Sequence, residues 1–172
     1  IPFFETVVVT RDFHPPGHIS FAASHPGKKV YDTVSISGKE QILWPEHCVA
    51  GSRGAEFFPA LSADRFSLVL SKGENPSMDS YSAFYENDRT TPTGLGGYFK
   101  ERGIRGITAC GLATDYCVLY SVIDALILGF TVTLLTDAVQ AVNFPAGSAE
   151  KALKKMKDAG ATLLSSREIL NK

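Results

Sequence analysis

Four short apolar runs mark the chain, at residues 4–10, 66–71, 106–111 and 131–136. They are rich in Val, Ile, Leu, Thr and Phe and are bounded by Gly, Asp or Lys, as β-strands are. A weaker fifth run covers residues 161–165. The segments between them predict helices. Residues 95–102 form a short one closed by Gly103. Residues 116–128 are apolar nearly all round and are closed by Gly129, which predicts a buried helix. Residues 146–159 carry a Lys-rich face and end at Gly160.

Strands alternating with helices predict an α/β fold, a parallel sheet wrapped by helices. Residues 15–64 break the pattern. They are crowded with prolines and glycines and show little periodicity, too long a stretch for an idle loop, so a functional role is expected. No repeat, linker or low-complexity tract is visible, and residues 1–172 read as one domain.

Composition narrows the possibilities. The 172 residues are 44% apolar and 20% charged with a net charge of −1, an ordinary globular balance. Near-neutrality argues against nucleic-acid or membrane-surface binding through bulk charge. Tyr120, Ser121 and Asp124 interrupt the longest apolar stretch, so no membrane span is expected. The three cysteines, Cys48, Cys110 and Cys117, form no disulfide framework. An odd count without such spacing suggests a reducing, intracellular and cytoplasmic setting. No signal peptide is visible, and the chain opens without Met in what reads as an internal strand, so a fragment is expected.

In open α/β sheets ligands bind beyond the carboxyl ends of the strands. The residues there are reactive types. After the first strand come Asp12-Phe13-His14-Pro15-Pro16-Gly17-His18, and all four histidines lie between positions 14 and 47. A carboxylate with two or three imidazoles suits Zn²⁺ or Fe²⁺. Asp12 and His14, two apart on an extended segment, share a face, and His47 returns from the long loop. The alternative is a turn-capping Asp12 among surface histidines. Clustering favours metal for Asp12, His14 and His47, leaves His18 between ligand and support, and leaves His25 as a loop residue. Lys72 ends the second strand, where it either stabilises a nearby thiolate or simply leaves the sheet for solvent. Cys117 falls at a helix start, where backbone N–H groups stabilise a thiolate and can hold an oxyanion. Burial as a plain packing thiol is the equal alternative. Cys110, inside a strand, is expected in the core, and Cys48 is expected to be structural. Trp44, Phe13, Tyr81 and Tyr116 could wall a slot for a flat ring, or simply pack.

Taken together, these motifs resemble the nicotinamidases of the isochorismatase-like cysteine hydrolases. The matching stretches are residues 10–22, Leu43-Trp44-Pro45-Glu46-His47-Cys48-Val49, Lys72-Gly73, Asp79-Ser80-Tyr81-Ser82-Ala83-Phe84, residues 110–118 and Asp124-Ala125, in family order. The resemblance implies a Rossmann-like three-layer α/β/α fold, a six-stranded parallel sheet with helices on both faces. It implies hydrolysis of nicotinamide to nicotinate and ammonia through a cysteine thioester, within pyridine-nucleotide salvage, with pyrazinamide as a second substrate. By resemblance, Cys117 is the nucleophile and Lys72 the catalytic lysine. Asp12, His14 and His47, with His18 a further candidate, hold one divalent metal, zinc first and Fe²⁺ or Mn²⁺ next. Ala113 and Cys117 supply oxyanion-hole N–H groups, and the Leu112–Ala113 bond matches one that is cis in the family. Trp44, Tyr81, Tyr116 and Leu112 border the substrate ring. Self-association of copies goes with the family. The family also has an aspartate in an Asp-Xaa-Gln-Asn-Asp-Phe motif on an earlier strand, and no aspartate precedes Asp12 here. A chain truncated at its N-terminus is therefore expected, with an unpaired sheet edge that lowers stability. Two other readings stand beside this one: a metal-free amidase on the same scaffold, and a non-catalytic paralogue binding metal or a pyridine.

Overall fold

The computed structural model describes residues 4–61 and 63–170. The chain divides into two compact units, residues 1–80 with 86–90 and residues 81–85 with 91–172.

In the first unit, β1 (Val8–Asp12) pairs in parallel with β4 (Leu68–Lys72). The register runs from Val8 opposite Leu68 to Asp12 opposite Lys72, so both strands finish level. Against the apolar runs, β1 begins four residues later and ends two later, and β4 begins two later and ends one later; the later ends arise because the polar residues there remain in the ladder. The long irregular stretch contains an element that periodicity did not reveal. Residues β2 (Thr33–Ile36) and β3 (Lys39–Ile42) form an antiparallel hairpin. Its two-residue turn has Ser37 at φ 50° and Gly38 at φ 77°, the doubly positive geometry that matches strand twist. Phe21 and Leu43 are fully buried at the heart of this unit. The backbone bridges His14 with Val49 and Phe21 with Trp44 tie the long stretch down.

In the second unit, β5 (Gly106–Leu112), β6 (Thr131–Gln140) and β7 (Thr162–Leu164) form a parallel sheet in that order. The helices are α1 (Leu95–Glu101), α2 (Leu119–Ile127), α3 (Ser148–Asp158) and α4 (Ser166–Leu170). Leu134, Val122 and Met156 are buried, and Phe84, Phe99 and Phe130 pack ring to ring at 5.8–6.1 Å. In α3, Ala152 and Met156 lie four apart on the buried stripe, while Lys154 pairs with Asp158 at 2.5 Å on the solvent face.

Two expectations are corrected here. The helix expected over residues 116–128 is not buried all round: Val122, Asp124 and Ala125 face inward, but Ile127 is 72% exposed. Cys110 is exposed rather than in the core. Its place inside a strand, on which the expectation rested, does not decide burial, and the β5–β6 register shifts between Ala109 and Gly111, around this residue. Among the described residues, no helix is long and apolar enough to cross a membrane.

Candidate active site

The first unit gathers a carboxylate, three imidazoles and an ammonium. Asp12 and Lys72 close the parallel ladder, and Lys72 Nζ donates to Asp12 Oδ1 at 2.5 Å and to the Ser80 carbonyl at 2.6 Å. The lysine is therefore buried and paired, its side chain only 3% exposed. It does not leave the sheet for solvent. Burial alone raises the Asp12 carboxyl, but the Lys72 ammonium and its hydrogen bond, aided by His14 and His47, hold it below its ordinary value.

One ligand atom from each of Asp12, His14 and His47 lies within 4.8 Å of the others. The hydrogen bonds define the imidazoles' proton positions, since a carbonyl can only accept. His14 Nδ1–H donates to the Gly73 carbonyl at 2.9 Å, and His47 Nδ1–H donates to the Pro45 carbonyl at 2.8 Å. Each ring thus carries its lone pair on Nε2. Burial lowers the His14 pKa despite the opposing pull of Asp79 and the Gly73 carbonyl, which keeps the ring neutral and able to ligate. One carboxylate and two neutral imidazoles fit a divalent transition metal by donor chemistry.

Phe21 organises these rings. Its side chain is fully buried and meets His14, His18 and His47 edge-on at 5.5–5.7 Å. His18 stacks on His14 at 4.4 Å but groups with His14 and Asp79, not with Asp12 and His47. His25 donates to the Ile19 carbonyl at 2.7 Å and holds its own loop. The Cys48 carbonyl accepts from His14 N–H at 3.0 Å, while burial pushes the Cys48 thiol up, so it stays protonated. Trp44 is buried, with Tyr31 edge-on at 5.9 Å.

In the second unit, the turn that carries Cys117 is wider than α-helical. Residues Thr114–Val118 form one π turn ahead of α2, so α2 begins at Leu119 rather than 116. The Ala113 carbonyl accepts from both Tyr116 and Val118 N–H, and the Leu112–Ala113 peptide is cis. Cys117 is half-buried and in no disulfide. Its carbonyl accepts from Ser121 Oγ at 2.6 Å, and Ser121 Oγ in turn accepts from Ala83 N–H. Asp115 is buried and accepts from Val142 N–H, Asn143 N–H and Ser148 Oγ at 2.5–3.0 Å, pinning the segment after β6 to this turn. Tyr116 is also buried, and its hydroxyl donates to the Phe144 carbonyl. Tyr81 packs against Tyr116 and Tyr120 at 5.5 and 5.3 Å, while Leu112 is 71% exposed.

Sequence reasoning assigned no role to Asp79, Asp115, Ser121 or Phe21. Asp79 and Asp115 lie inside quoted motifs, and a carboxylate within an otherwise apolar or hydroxyl-rich motif was the available signal. Their partners lie 27–38 residues away, beyond local pattern.

A parallel α/β fold with a carboxylate–imidazole cluster and a cysteine on the turn following a strand defines a class. The chain belongs to the isochorismatase domain family, whose profile matches residues 6–168. Among its relatives, it is similar to the nicotinamidase of Acinetobacter baylyi, 46% identical over 97% of this chain and 78% of the relative. It is also similar to the solved structure of the Acinetobacter baumanii nicotinamidase pyrazinamidase, with a TM-score of 0.94 and 43% identity over 98% of this chain and 81% of that one. A third likeness is to the pyrazinamidase of Pyrococcus horikoshii in complex with zinc, with a TM-score of 0.71 and 34% identity over 93% of this chain and 75% of that one. The fold is therefore the isochorismatase-like α/β one.

Proposed function

We propose that the chain is an amide hydrolase acting on nicotinamide, with pyrazinamide as a second substrate. The observation that carries this reading is the Asp12–His14–His47 cluster, both imidazoles holding their lone pairs on Nε2, in a chain so similar to nicotinamidases. We assign these three residues to one divalent metal, zinc first, in keeping with the zinc complex of the Pyrococcus horikoshii protein. A cation held there supplies a positive charge to which a pyridine nitrogen can bind, which orients the carboxamide.

In the proposed reaction the Cys117 thiolate attacks the carboxamide carbon, with Lys72 as the accompanying ammonium. The Ala113 and Cys117 N–H groups take the developing oxyanion. The C–N bond breaks, the proton that the Cys117 thiol gave up passes to the amide nitrogen so that ammonia leaves, and water cleaves the thioester to nicotinate and the free thiol. Trp44, Tyr81, Tyr116 and Leu112 border the ring. Single-domain organisation across both units is supported by the family match over residues 6–168. An intracellular, cytoplasmic setting is supported by three cysteines outside any disulfide. Self-association of copies is part of the same proposal.

The test is ammonia release from nicotinamide. It is measured on the 172-residue chain and on a form lengthened at the N-terminus by a strand bearing the Asp-Xaa-Gln-Asn-Asp-Phe motif. Cys117→Ala should abolish release in whichever form is active and leave bound zinc unchanged. Normal turnover by Cys117→Ala, or no turnover by either form with zinc present, overturns the assignment.

A further inference from the structure

His14, His18 and Asp79 form a second cluster, 0–3% exposed, with one ligand atom from each within 4.8 Å of the others. Proton accounting separates a second cation site from a hydrogen-bonded support. His18 Nδ1 accepts from Ser20 N–H at 3.3 Å and from Ser20 Oγ at 2.8 Å, so this ring carries its proton on Nε2. That Nε2–H donates to the Asn75 carbonyl at 2.9 Å and faces the Met78 carbonyl at 3.3 Å. No lone pair remains on His18 for a cation. Asp79 Oδ1 accepts from Ser80 N–H at 2.7 Å, and Oδ2 accepts from Gln41 Nε2 at 3.1 Å. His14 Nδ1–H is committed to the Gly73 carbonyl. A cation here would have to displace several satisfied, buried hydrogen bonds, so the cluster supports rather than ligates.

We propose that Asp79 is a positioning residue that holds His14 in its Nδ1–H tautomer and fixes the carbonyl that receives Lys72. The first part follows from where the carboxylate sits. A Cβ added to Gly73 would lie 2.6 Å from His14 Nδ1 and 3.6 Å from Asp79 Oδ1, so both groups close on the same bare Cα. A buried carboxylate close to the ring adds to the Gly73 carbonyl in favouring the proton on Nδ1, and leaves the lone pair on Nε2. The second part runs through the backbone. Asp79 Oδ1 grips Ser80 N–H, and the carbonyl of that same Ser80 accepts from Lys72 Nζ. One carboxylate therefore sets an imidazole and an ammonium that both face Asp12. Its own place is fixed from behind, since Gln41 on β3 donates to it and Asn87 Nδ2 donates to Gln41 Oε1 at 3.2 Å. The β2–β3 hairpin thus acts as the brace for the cluster. His18, stacked on His14, completes the cage.

This inference rests on the reading of Asp12, His14 and His47 as metal ligands, and the experiment keeps the two apart. Zinc affinity of the chain is measured by competition with a chromophoric chelator, for the parent, His47→Ala, Asp79→Asn and Gln41→Leu. Imidazole tautomers are read in the metal-free protein from long-range ¹H–¹⁵N correlation spectra. The parent should bind one zinc, His47→Ala should lose it, and His14 should be in the Nδ1–H form. Asp79→Asn should bind zinc about 10–100-fold more weakly and show His14 as a tautomer mixture. A residue that served folding alone would lower the melting temperature without changing the tautomer. If Asp79→Asn does not fold, Gln41→Leu decides, with a zinc affinity weakened severalfold expected. Unchanged zinc affinity and an unchanged His14 tautomer in the folded Asp79→Asn, or failing that in Gln41→Leu, overturn the inference while leaving the metal reading intact. A parent that binds no zinc, or one indifferent to His47→Ala, overturns both.

Discussion

Asp12 and Lys72 are register partners at the level ends of two parallel strands, joined by a 2.5 Å ion pair. Their exposures differ: 23% for the Asp12 side chain and 3% for Lys72. The ammonium is thus the more costly of the two to leave alone. Asp12→Ala, which takes the carboxylate away from the buried lysine, should destabilise the chain by about 3–5 kcal/mol. Lys72→Met leaves a carboxylate that water can reach and should cost less. Urea unfolding of both variants reads the order, and a larger loss in Lys72→Met would contradict it.

Acid should weaken the metal-free chain in two windows. The folded-state pKa of His14 lies below its ordinary 6.5, chiefly through burial. As pH falls through that value the unfolded chain takes up the proton first, so stability drops from about pH 6.5 downward. The Asp12 carboxyl lies below 3.8 in the folded state: burial is the largest single influence and raises it, but the Lys72 ammonium, its hydrogen bond, His14 and His47 together outweigh burial. Its contribution is complete above 3.8 and is lost as pH falls toward its folded value. Melting temperatures of chelator-treated protein should therefore fall as pH drops below about 6.5, and fall again below about pH 4. A flat first window would show that His14 is not held neutral.

Gly73 should not tolerate a side chain. Its φ is +65°, and a Cβ would sit 2.5 Å from His14 Cε1. Gly73→Ala should cost about 1–3 kcal/mol in backbone strain. It should also weaken zinc binding by pushing the ring off the Gly73 carbonyl. Thermal unfolding and chelator competition report the two effects separately, and parental zinc affinity would mean that the ring has room to move.

Asp115 is the corresponding anchor in the second unit. Asp115→Ala removes three hydrogen bonds to a buried acceptor and leaves the Val142 and Asn143 N–H groups without it. The expected cost is about 2–4 kcal/mol. Amide exchange should rise at residues 142–148 before it rises in β6. Uniform exchange throughout the unit would assign the loss to general packing.

Much of this protein is set by local sequence. Short apolar runs and glycine stops are enough for β1, β4–β7 and α1–α3, because β-branched and apolar clusters between polar or glycine boundaries carry the strand and helix signal locally. Asp12 and His14, two apart, and His47 beside its Trp-Pro-Glu turn were visible as a donor set for the same reason: residue type and short spacing carry that information. Tertiary structure decided the rest. The β2–β3 hairpin depends on two residues at positive φ rather than on hydrophobic period, and Cys110, inside a strand, is exposed beside a register shift against β6. The tautomers of His14 and His47 follow from carbonyls that the folded chain brings to their rings, one of them 59 residues away in sequence. Whether Lys72 is a solvent-facing charge or half of a buried pair was undecidable from its neighbours in sequence. It is fixed by a partner 60 residues away, since only the ladder brings the two strand ends level.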